Sequence, residues 1–231
     1  MEFKVLASGS SGNCYRISDG QTELLLECGI SLRQIREGLD FRLSSVAGCL
    51  CTHLHQDHAK SCKDLLRAGV DIYTSQGTID ALGLTGHRVH AVAALQWFSI
   101  DTWRILPFGT EHDVPEPLGF VLESSGDRAL FATDTAYIRY QIPGLTHVLI
   151  ECNYDLDVLN ESVKEGRVDP AVKRWIIRNH MSLQRLKAFL LANDLSRVKQ
   201  IWLLHLSADN SDMGRFKREI QALTGKEVYV A

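Results

Sequence analysis

The stretch "CTHLHQDHAK", residues 51–60, places His53, His55, Asp57 and His58 within six positions, directly after the apolar run "VAGCL". Neutral imidazole and carboxylate are the ligands that zinc prefers, and manganese accepts them with more carboxylate and water. His53 and His55 are two residues apart, so on an extended segment they point the same way. Asp57 and His58 need the chain to turn, and a helix start would supply that turn. The loop therefore predicts part of a metal site.

Further polar residues follow other apolar runs of the chain. They are His112 with Asp113 after "WRILPFGTE", Asp134 after "RALFAT", Asn153 with Asp155 after "HVLIEC", and His205 after "KQIWLL". Strand ends bring sequence-distant residues to one edge of a sheet, so these side chains can converge on a single site. Each divalent metal takes roughly four to six ligands, which the loop alone cannot supply for two ions. We expect His112, Asp134 and His205 to supply the rest.

Short strands and helices alternate along the chain. The predicted strands are "FKVLASG", "NCYRIS", "TELLLECG", "SVAGCLCTH", "DIYTS", "WRILPFGTEH", "LGFVLES", "RALFATDT", "HVLIECNYD", "VKQIWLLHLS" and "KEVYVA". The predicted helices are "ISLRQIREGL", "AKSCKDLLRAG", "QGTIDALGL", "SLQRLKAFLLAND" and "MGRFKREIQALTG". Two strand-rich parts, each followed by helices, predict an α/β fold in which helices cover two sheets, a four-layer αββα sandwich. We expect one domain over residues 1–231.

The composition is that of a soluble globular protein, with 45% hydrophobic and 23% charged residues. No apolar run reaches the roughly 20 residues that span a bilayer, and "MEFKVLASGS" lacks the features of a signal peptide. We therefore expect a cytoplasmic protein with no membrane partner. Six cysteines without a CxxC pair are expected to be buried small side chains rather than disulfides. A net charge of −3 gives no bulk attraction to nucleic acid but allows a local basic groove.

The HxHxDH pattern after an apolar strand resembles the signature loop of the metallo-β-lactamase fold superfamily. The later single-residue motifs occur in order, so the resemblance covers nearly the whole chain. It implies two divalent ions, zinc or manganese, whose ligands are distributed as follows. One ion takes His53, His55 and His112, the second takes Asp57, His58 and His205, and Asp134 bridges the two.

The resemblance also implies hydrolytic chemistry, with a hydroxide that bridges the two ions as the nucleophile. Asp57 would orient this nucleophile as well as bind metal. His180 lies 25 residues before His205, about where the phosphodiesterase branch of the superfamily has a histidine that is not a ligand. Such a histidine can protonate the leaving group. β-Lactamases and glyoxalase-type thioesterases lack it, so phosphodiester hydrolysis is favoured.

The N-terminal stretch "LASGSSGNCYRI" looks like the opening of YycJ/WalJ-type proteins, a bacterial branch of this fold for which 5′-to-3′ exonuclease action on DNA has been proposed. Other matching pieces are "HDVPEPLGF", "NHMSL" and "HLSADN". By this resemblance Ser10, Ser11, Asn13 and Asn153 line the substrate pocket. The Gly/Ser stretch is equally compatible with a simple turn between the first two strands.

Two positions depart from that branch. Glu27 stands where the family has an aspartate that supports the metal loop, and the longer carboxylate is expected to move the loop slightly. Tyr154, in "ECNYD", replaces a histidine, which puts the substrate preference in doubt. All the implied metal ligands are intact, so we expect an active enzyme.

Three other functions remain open at this point. The first is hydrolysis of small cyclic or linear nucleotides: a closed pocket would favour it, whereas a groove lined by Lys173, Arg174, Arg178 and Arg139 would favour a polymer. The second, thioester or lactone hydrolysis, is opposed by His180. The third, a structural use of metal, does not need a bridging carboxylate. Among polymers we expect DNA rather than RNA, because the sequence shows no clamp domain of the kind that RNA-processing relatives carry.

Overall fold

The computed structural model describes residues 1–231, which divide into two compact units. Unit 1 comprises Met1–Gly109 and Val114–Asp127, and unit 2 comprises Thr110–Asp113 and Arg128–Ala231. The single domain over residues 1–231 stays a prediction. None of the helices combines the length and the apolar character that crossing a bilayer requires.

Unit 1 is rich in strands. Its strands are β1 (Glu2–Ala7), β2 (Cys14–Ser18), β3 (Glu23–Leu26), β4 (Val46–Leu50), β5 (Ile72–Thr74), β6 (Val89–Ala91), β7 (Phe98–Ile100), β8 (Trp103–Gly109) and β9 (Leu118–Ser124). Its helices are α1 (Leu32–Gly38), α2 (Gln56–Ala59), α3 (Cys62–Arg67) and α4 (Gln76–Leu82). Strands β1 to β6 form one sheet in chain order, antiparallel from β1 to β3 and parallel from β3 to β6. Strands β7, β8 and β9 form an antiparallel meander.

Strand β4 lies in the interior of this first sheet and leads into residues 51–58, here called the histidine loop, which carry His53, His55, Asp57 and His58. The residues of β4 are almost all buried, as expected for a strand of a parallel sheet covered on both faces. Ile35 of α1 and Leu65 of α3 belong to the same apolar core as Cys49 of β4. This packing fixes the end of β4, and the histidine loop begins directly beyond it.

All six cysteines are buried and none forms a disulfide, as predicted. Five of them lie in unit 1, and Cys152 is the one in unit 2. Burial raises the pKa of the Cys14 and Cys152 thiols well above its usual range. The thiols are therefore protonated and shielded at neutral pH.

Asp19, in the turn between β2 and β3, forms hydrogen bonds with residues of unit 1 that are distant in the sequence. Its carboxylate accepts hydrogen bonds from the hydroxyls of Thr102 and Ser124 at 2.5 Å, and from the backbone N–H of Gln21 and Thr22. Partial burial opposes ionisation, but these hydrogen bonds outweigh it and hold the pKa of Asp19 well below its usual range. The ionised form thus stabilises the fold.

Asp19→Asn is expected to lower the free energy of unfolding by about 1–3 kcal/mol at pH 7, because it weakens several hydrogen bonds to a charged acceptor. Since the folded pKa is depressed, this stabilisation is complete above the ordinary value of 3.8 and is lost as the pH falls below it. Urea unfolding at pH 7 and near pH 3 checks both statements. The exposed Asp101 provides the control Asp101→Asn. An equal loss for Asp19→Asn at the two pH values would contradict the assignment.

Unit 2 contains a parallel sheet and longer helices. Its strands are β10 (Asp127–Ala132, whose first residue belongs to unit 1), β11 (His147–Glu151), β12 (Gln200–Leu204) and β13 (Glu227–Val230). Its helices are α5 (Leu156–Lys164), α6 (Pro170–Asn179), α7 (Leu183–Ala192) and α8 (Met213–Thr224). The strands pair in chain order and all run parallel. Because the strands are parallel, the carboxyl ends of β10, β11 and β12 lie at the same edge of the sheet.

Most predicted elements are present. Four further elements were not predicted: strands β6 and β7 and helices α5 and α6. The single helix expected over residues 59–69 is interrupted, with α2 ending at Ala59 and α3 beginning at Cys62. The physical reason lies at Ser61, whose backbone N–H donates to the carbonyl of Cys28 and whose hydroxyl donates to the carbonyl of Ile30. These bonds to the segment after β3 replace the continuation of the helix.

Candidate metal centre

The histidine loop of unit 1 presents its four predicted ligands as two pairs of donor atoms. His53 Nε2 lies 3.1 Å from His55 Nδ1, and His58 Nε2 lies 3.3 Å from Asp57 Oδ2. Two ligands of a tetrahedral zinc ion, each bound at 2.0–2.1 Å, are about 3.3 Å apart. The spacing of each pair therefore fits two ligands of one ion.

Glu27 supports this loop from the end of β3. The carboxylate is fully buried and accepts hydrogen bonds from the backbone N–H of Thr52 at 3.1 Å and from its hydroxyl at 2.5 Å. It also lies 3.2 Å from Nδ1 of His58. The Thr52 hydroxyl has a single proton, which it gives to Glu27, so at 2.9 Å it accepts from Nδ1 of His53. The Nε2 atom of His53 then carries the lone pair that a metal needs.

Glu27→Gln is expected to weaken zinc binding by about 10- to 100-fold, the usual cost of losing a partner that orients metal ligands. The amide has one acceptor oxygen in place of two, so it cannot satisfy Thr52 and face His58 together. Competition against a chromogenic zinc chelator measures the affinity. Glu23→Gln, at the start of β3, is the matched control. Equal affinities of wild type and Glu27→Gln would show that the loop is oriented without this carboxylate.

Asn13 connects the turn after β1 to the same loop. Its backbone N–H donates to the carbonyl of Asp57 at 2.7 Å, and its side-chain amide donates to the same carbonyl at 3.1 Å and to that of Gly9. The amide nitrogen also lies 3.2 Å from Nε2 of His58. The fit is tight, because a Cβ at Gly29 would come within 1.7 Å of the Asp57 carbonyl oxygen. These contacts position the loop.

The predicted substrate contacts of the N-terminal turn stay predictions. Ser10 and Ser11 are exposed in the turn between β1 and β2, whereas Asn13 is buried. The two serines are therefore accessible to a substrate. The Asn13 side chain is already engaged with the loop.

Asp134 is the central carboxylate of unit 2. It follows β10 and is buried, and its two oxygens face different histidines. Oδ2 lies 3.7 Å from Nε2 of His112, and Oδ1 lies 3.5 Å from Nδ1 of His205. Asp134 thus lies between two of the predicted ligands, and its bridging role stays a prediction.

Backbone strain marks the same positions. Glu27, Asp134 and His205 have φ angles of 63°, 44° and 53°, in the left-handed region that favours glycine. Such conformations cost free energy and concentrate at functional sites. The chain keeps these three side chains despite that cost.

Glu151 is a site residue that the sequence analysis missed. It ends β11, is fully buried, and its Oε1 accepts a 2.6 Å hydrogen bond from Nδ1 of His180. The same oxygen lies 3.3 Å from Nδ1 of His205, and Oε2 accepts from the backbone N–H of Thr135 and Met181. Burial opposes ionisation of Glu151, but the charge of His180 and the hydrogen bonds of His180 and His205 outweigh it and lower the pKa of the carboxyl. A charged Glu151 therefore orients both rings.

His180 ends α6 and is enclosed by aromatic rings. Its ring stacks on that of His205, with centroids 5.5 Å apart, and meets that of Trp175 edge-on at 5.2 Å. Burial lowers the pKa of His180, but the charge and hydrogen bond of Glu151 outweigh it, so that the pKa is raised. Because Nδ1 is held by Glu151, Nε2 is the nitrogen that can donate a proton.

Asn153 holds His205 in place. Its side-chain amide donates to the His205 carbonyl at 2.9 Å and lies 3.2 Å from Nδ1 of the same residue. Its predicted contact with substrate stays a prediction. Asp155 caps α5 and accepts from Arg215, so it does not belong to the cluster around Asp134.

In each unit, the predicted ligands of that unit thus lie close together. Unit 1 groups His53, His55, Asp57 and His58, and unit 2 groups His112, Asp134 and His205 with His180 and Glu151. In unit 2, donor atoms of Asp134, Glu151, His180 and His205 all lie within 4.8 Å of one another. Imidazole and carboxylate are the donors that zinc and manganese use, so both sets fit divalent metals.

The sequence of this chain is similar to those of known proteins and matches one superfamily. Residues 22–206 match the family described as "Beta-lactamase superfamily domain". Exodeoxyribonuclease YycJ of Bacillus anthracis is 28% identical over 91% of this chain and 84% of that protein. Exodeoxyribonuclease WalJ of Streptococcus pneumoniae is 26% identical over 91% of this chain and 83% of that protein.

Solved structures show the same fold. The metallo-β-lactamase fold protein YhfI of Bacillus subtilis has a TM-score of 0.76 at 16% identity, covering 99% of this chain and 95% of that one. Zn²⁺-bound PqqB of Methylobacterium extorquens has a TM-score of 0.75 at 14% identity, covering 100% and 97%. The predicted α/β metallo-β-lactamase fold is confirmed.

Proposed function

Because this chain belongs to the metallo-β-lactamase superfamily, we propose that it hydrolyses phosphodiesters of nucleic acid, as a 5′-to-3′ exonuclease on DNA. It is a metal-dependent hydrolase, and the proposal concerns which bond it cleaves. The observation that carries the proposal is the buried hydrogen bond between His180 and Glu151, next to Asp134 and His205.

We further propose two divalent ions, zinc or manganese, with the ligand set that the sequence resemblance implies. One is held by His53, His55 and His112, the other by Asp57, His58 and His205, with Asp134 shared. The support is the spacing of donor atoms within each unit and the two-sided arrangement of the Asp134 oxygens. When bound, such ions lower the pKa of a water nucleophile and offset charge in the transition state.

The residues of the chain then have distinct tasks. Asp57, whose side chain is one-quarter exposed, can accept a hydrogen bond from the attacking water and orient it. His180 donates a proton from Nε2 to the leaving oxygen, while Glu151 keeps the ring in place. Nucleotide leaving groups are alkoxides, which need such a proton. Thiolates leave without one, so the His180–Glu151 pair favours phosphodiesters over thioesters.

DNA as the polymer is supported by the named relatives, both of which are called exodeoxyribonucleases, whereas the 5′-to-3′ polarity rests on the resemblance of the N-terminal stretch. Their identity to this chain is below one-third, and Tyr154 departs from the pattern of that branch. Hydrolysis of a small cyclic or linear nucleotide is therefore tested beside DNA.

The test uses linear duplex DNA with 5′ phosphates, and bis(p-nitrophenyl) phosphate in parallel, each with Mn²⁺ or Zn²⁺. We expect mononucleotide release from DNA, abolished by Asp57→Ala and unaffected by His87→Ala, which changes an exposed histidine outside both clusters. Cleavage of the small diester with intact DNA would replace the proposal by a small-nucleotide phosphodiesterase. Intact substrates in both assays would refute phosphodiester hydrolysis.

A further inference from the structure

Helix α6 carries a cationic and aromatic face that the proposed chemistry does not use. Ala171, Arg174, Trp175 and Arg178 follow the i, i+3, i+4, i+7 spacing that places residues on one side of a helix. On most helices this spacing marks the buried apolar face. Here Arg174 and Arg178 are exposed, and Trp175 is 46% exposed.

This face lines a pocket of about 870 Å³ within unit 2. The pocket is also lined by Glu111, His112, Asp113, Ile177 and Asn179. His112 is one of the proposed metal ligands, so the pocket adjoins the catalytic residues of this unit. Trp175 provides a second link, because its ring meets that of His180 edge-on.

The two arginines of α6 favour binding of an anion in this pocket. The side chains of Arg174 and Arg178 make no hydrogen bond or ion pair with the rest of the chain, so both guanidinium groups are available to a ligand. Of the two acidic residues in the lining, Glu111 is paired with Arg139. Asp113 is the remaining acidic group, and its backbone N–H donates to the side chain of Asn179.

An exposed indole between two cations matches the needs of a single nucleic acid strand. Nucleobases stack on aromatic side chains, with a free energy of about 1–3 kcal/mol per base. Guanidinium groups bind phosphate oxygens through paired hydrogen bonds. A base within a duplex is already stacked on its neighbours, so the indole favours an unpaired end.

We propose that the α6 face (Arg174, Trp175 and Arg178) binds the unpaired end of a DNA strand, with one base stacked on Trp175 and phosphates on the two arginines. This inference rests on the proposed function, because a strand bound to the α6 face would lie next to His112 and His180, which are proposed to take part in hydrolysis. The substrate would then be a DNA polymer with at least a short single-stranded end.

The test measures binding to the metal-loaded full chain, by fluorescence anisotropy of a labelled 5′-phosphorylated oligothymidylate. Phosphorothioate linkages keep the probe intact. Trp175→Ala is expected to raise the Kd about tenfold or more, the loss of one stacked base, whereas Trp175→Phe stays within about threefold. Arg174→Ala combined with Arg178→Ala is expected to lower the slope of log Kd against log salt by about 1.4, as for two phosphate contacts on a single strand.

Matched controls come from other surfaces of the chain. Trp97→Ala removes another exposed indole, and Lys217→Ala with Arg218→Ala removes two exposed charges of α8. Both are expected to bind the probe like wild type. If Trp175→Ala binds like wild type, or if the controls weaken binding equally, the inference is refuted.

Failure of the inference and failure of the proposed function give different results. Binding that depends on Trp175, from a protein that leaves DNA intact, would support the α6 face and refute the nuclease. DNA degradation by the wild type together with binding that ignores Trp175 would do the reverse.

Discussion

Replacing Asp134 by asparagine is expected to reduce phosphodiester hydrolysis about a thousandfold or more and to lower the metal content of the protein. The two carboxylate oxygens face His112 and His205, at 3.7 Å and 3.5 Å. An amide keeps the shape but offers one acceptor oxygen and no charge, so it cannot serve two ions. The effect is large because both proposed metal sites depend on this side chain.

The measurement combines metal analysis of the purified protein with the DNA assay. Asp194→Asn is the control, since it changes an exposed carboxylate of unit 2 that belongs neither to the proposed ligands nor to the pocket of the α6 face. We expect two ions per chain in the control, and one or none in Asp134→Asn. Full metal content and activity in Asp134→Asn would show that Asp134 does not bridge.

Replacing His180 by alanine is expected to slow DNA hydrolysis by about 10²- to 10⁴-fold, the range typical of general acid catalysis. With bis(p-nitrophenyl) phosphate the loss is expected to be much smaller, because p-nitrophenolate leaves without a proton. Metal content should not change, since His180 is not among the proposed ligands. Glu151 orients His205 as well as His180, so Glu151→Gln should lose some activity on both substrates and a larger share on DNA.

The comparison of leaving groups separates proton donation from a structural role. A misfolded or metal-depleted variant would lose activity on both substrates equally. Equal losses for His180→Ala on DNA and on the p-nitrophenyl diester would therefore contradict general acid catalysis. His90→Ala is the control, because His90 pairs with Asp71 and stacks on Tyr73, in unit 1.

The candidate ligand loop could be proposed from the sequence because its four residues are contiguous. His53, His55, Asp57 and His58 lie within six residues after an apolar strand, and the spacing alone indicates a metal. His112, Asp134 and His205 needed a further argument, that strand ends meet at one sheet edge. For Asp134 and His205, the parallel order of β10, β11 and β12 agrees with that argument.

Glu151 could not be predicted in the same way. One glutamate at the end of an apolar run has no spacing signature, and Asn153 and Asp155 beside it were equally plausible. Its role depends on His180, which lies 29 residues later in the sequence, beyond α5 and α6. A contact of this kind exists only once the helices between the two residues are placed.

Helix α6 was missed because its outward face is unusual. Arg174, Trp175 and Arg178 mix charge with an aromatic ring, so the segment lacks the apolar stripe that identifies a helix in sequence. Its start could have been recognised, since Asp169 caps the helix and Pro170 occupies the first turn. The departure from a simple apolar pattern coincides with the surface for which we infer a ligand.

The burial of every cysteine provides a reporter of local opening in the native protein. A thiol-reactive dye can modify these residues only when the surrounding structure opens, so the rate of labelling measures how often it opens. Five of the six thiols report on unit 1, and Cys152 reports on unit 2. Peptide mapping after a brief pulse of reagent would therefore follow the two units separately, without any engineered probe. The same experiment with and without metal would show which unit the ions hold closed.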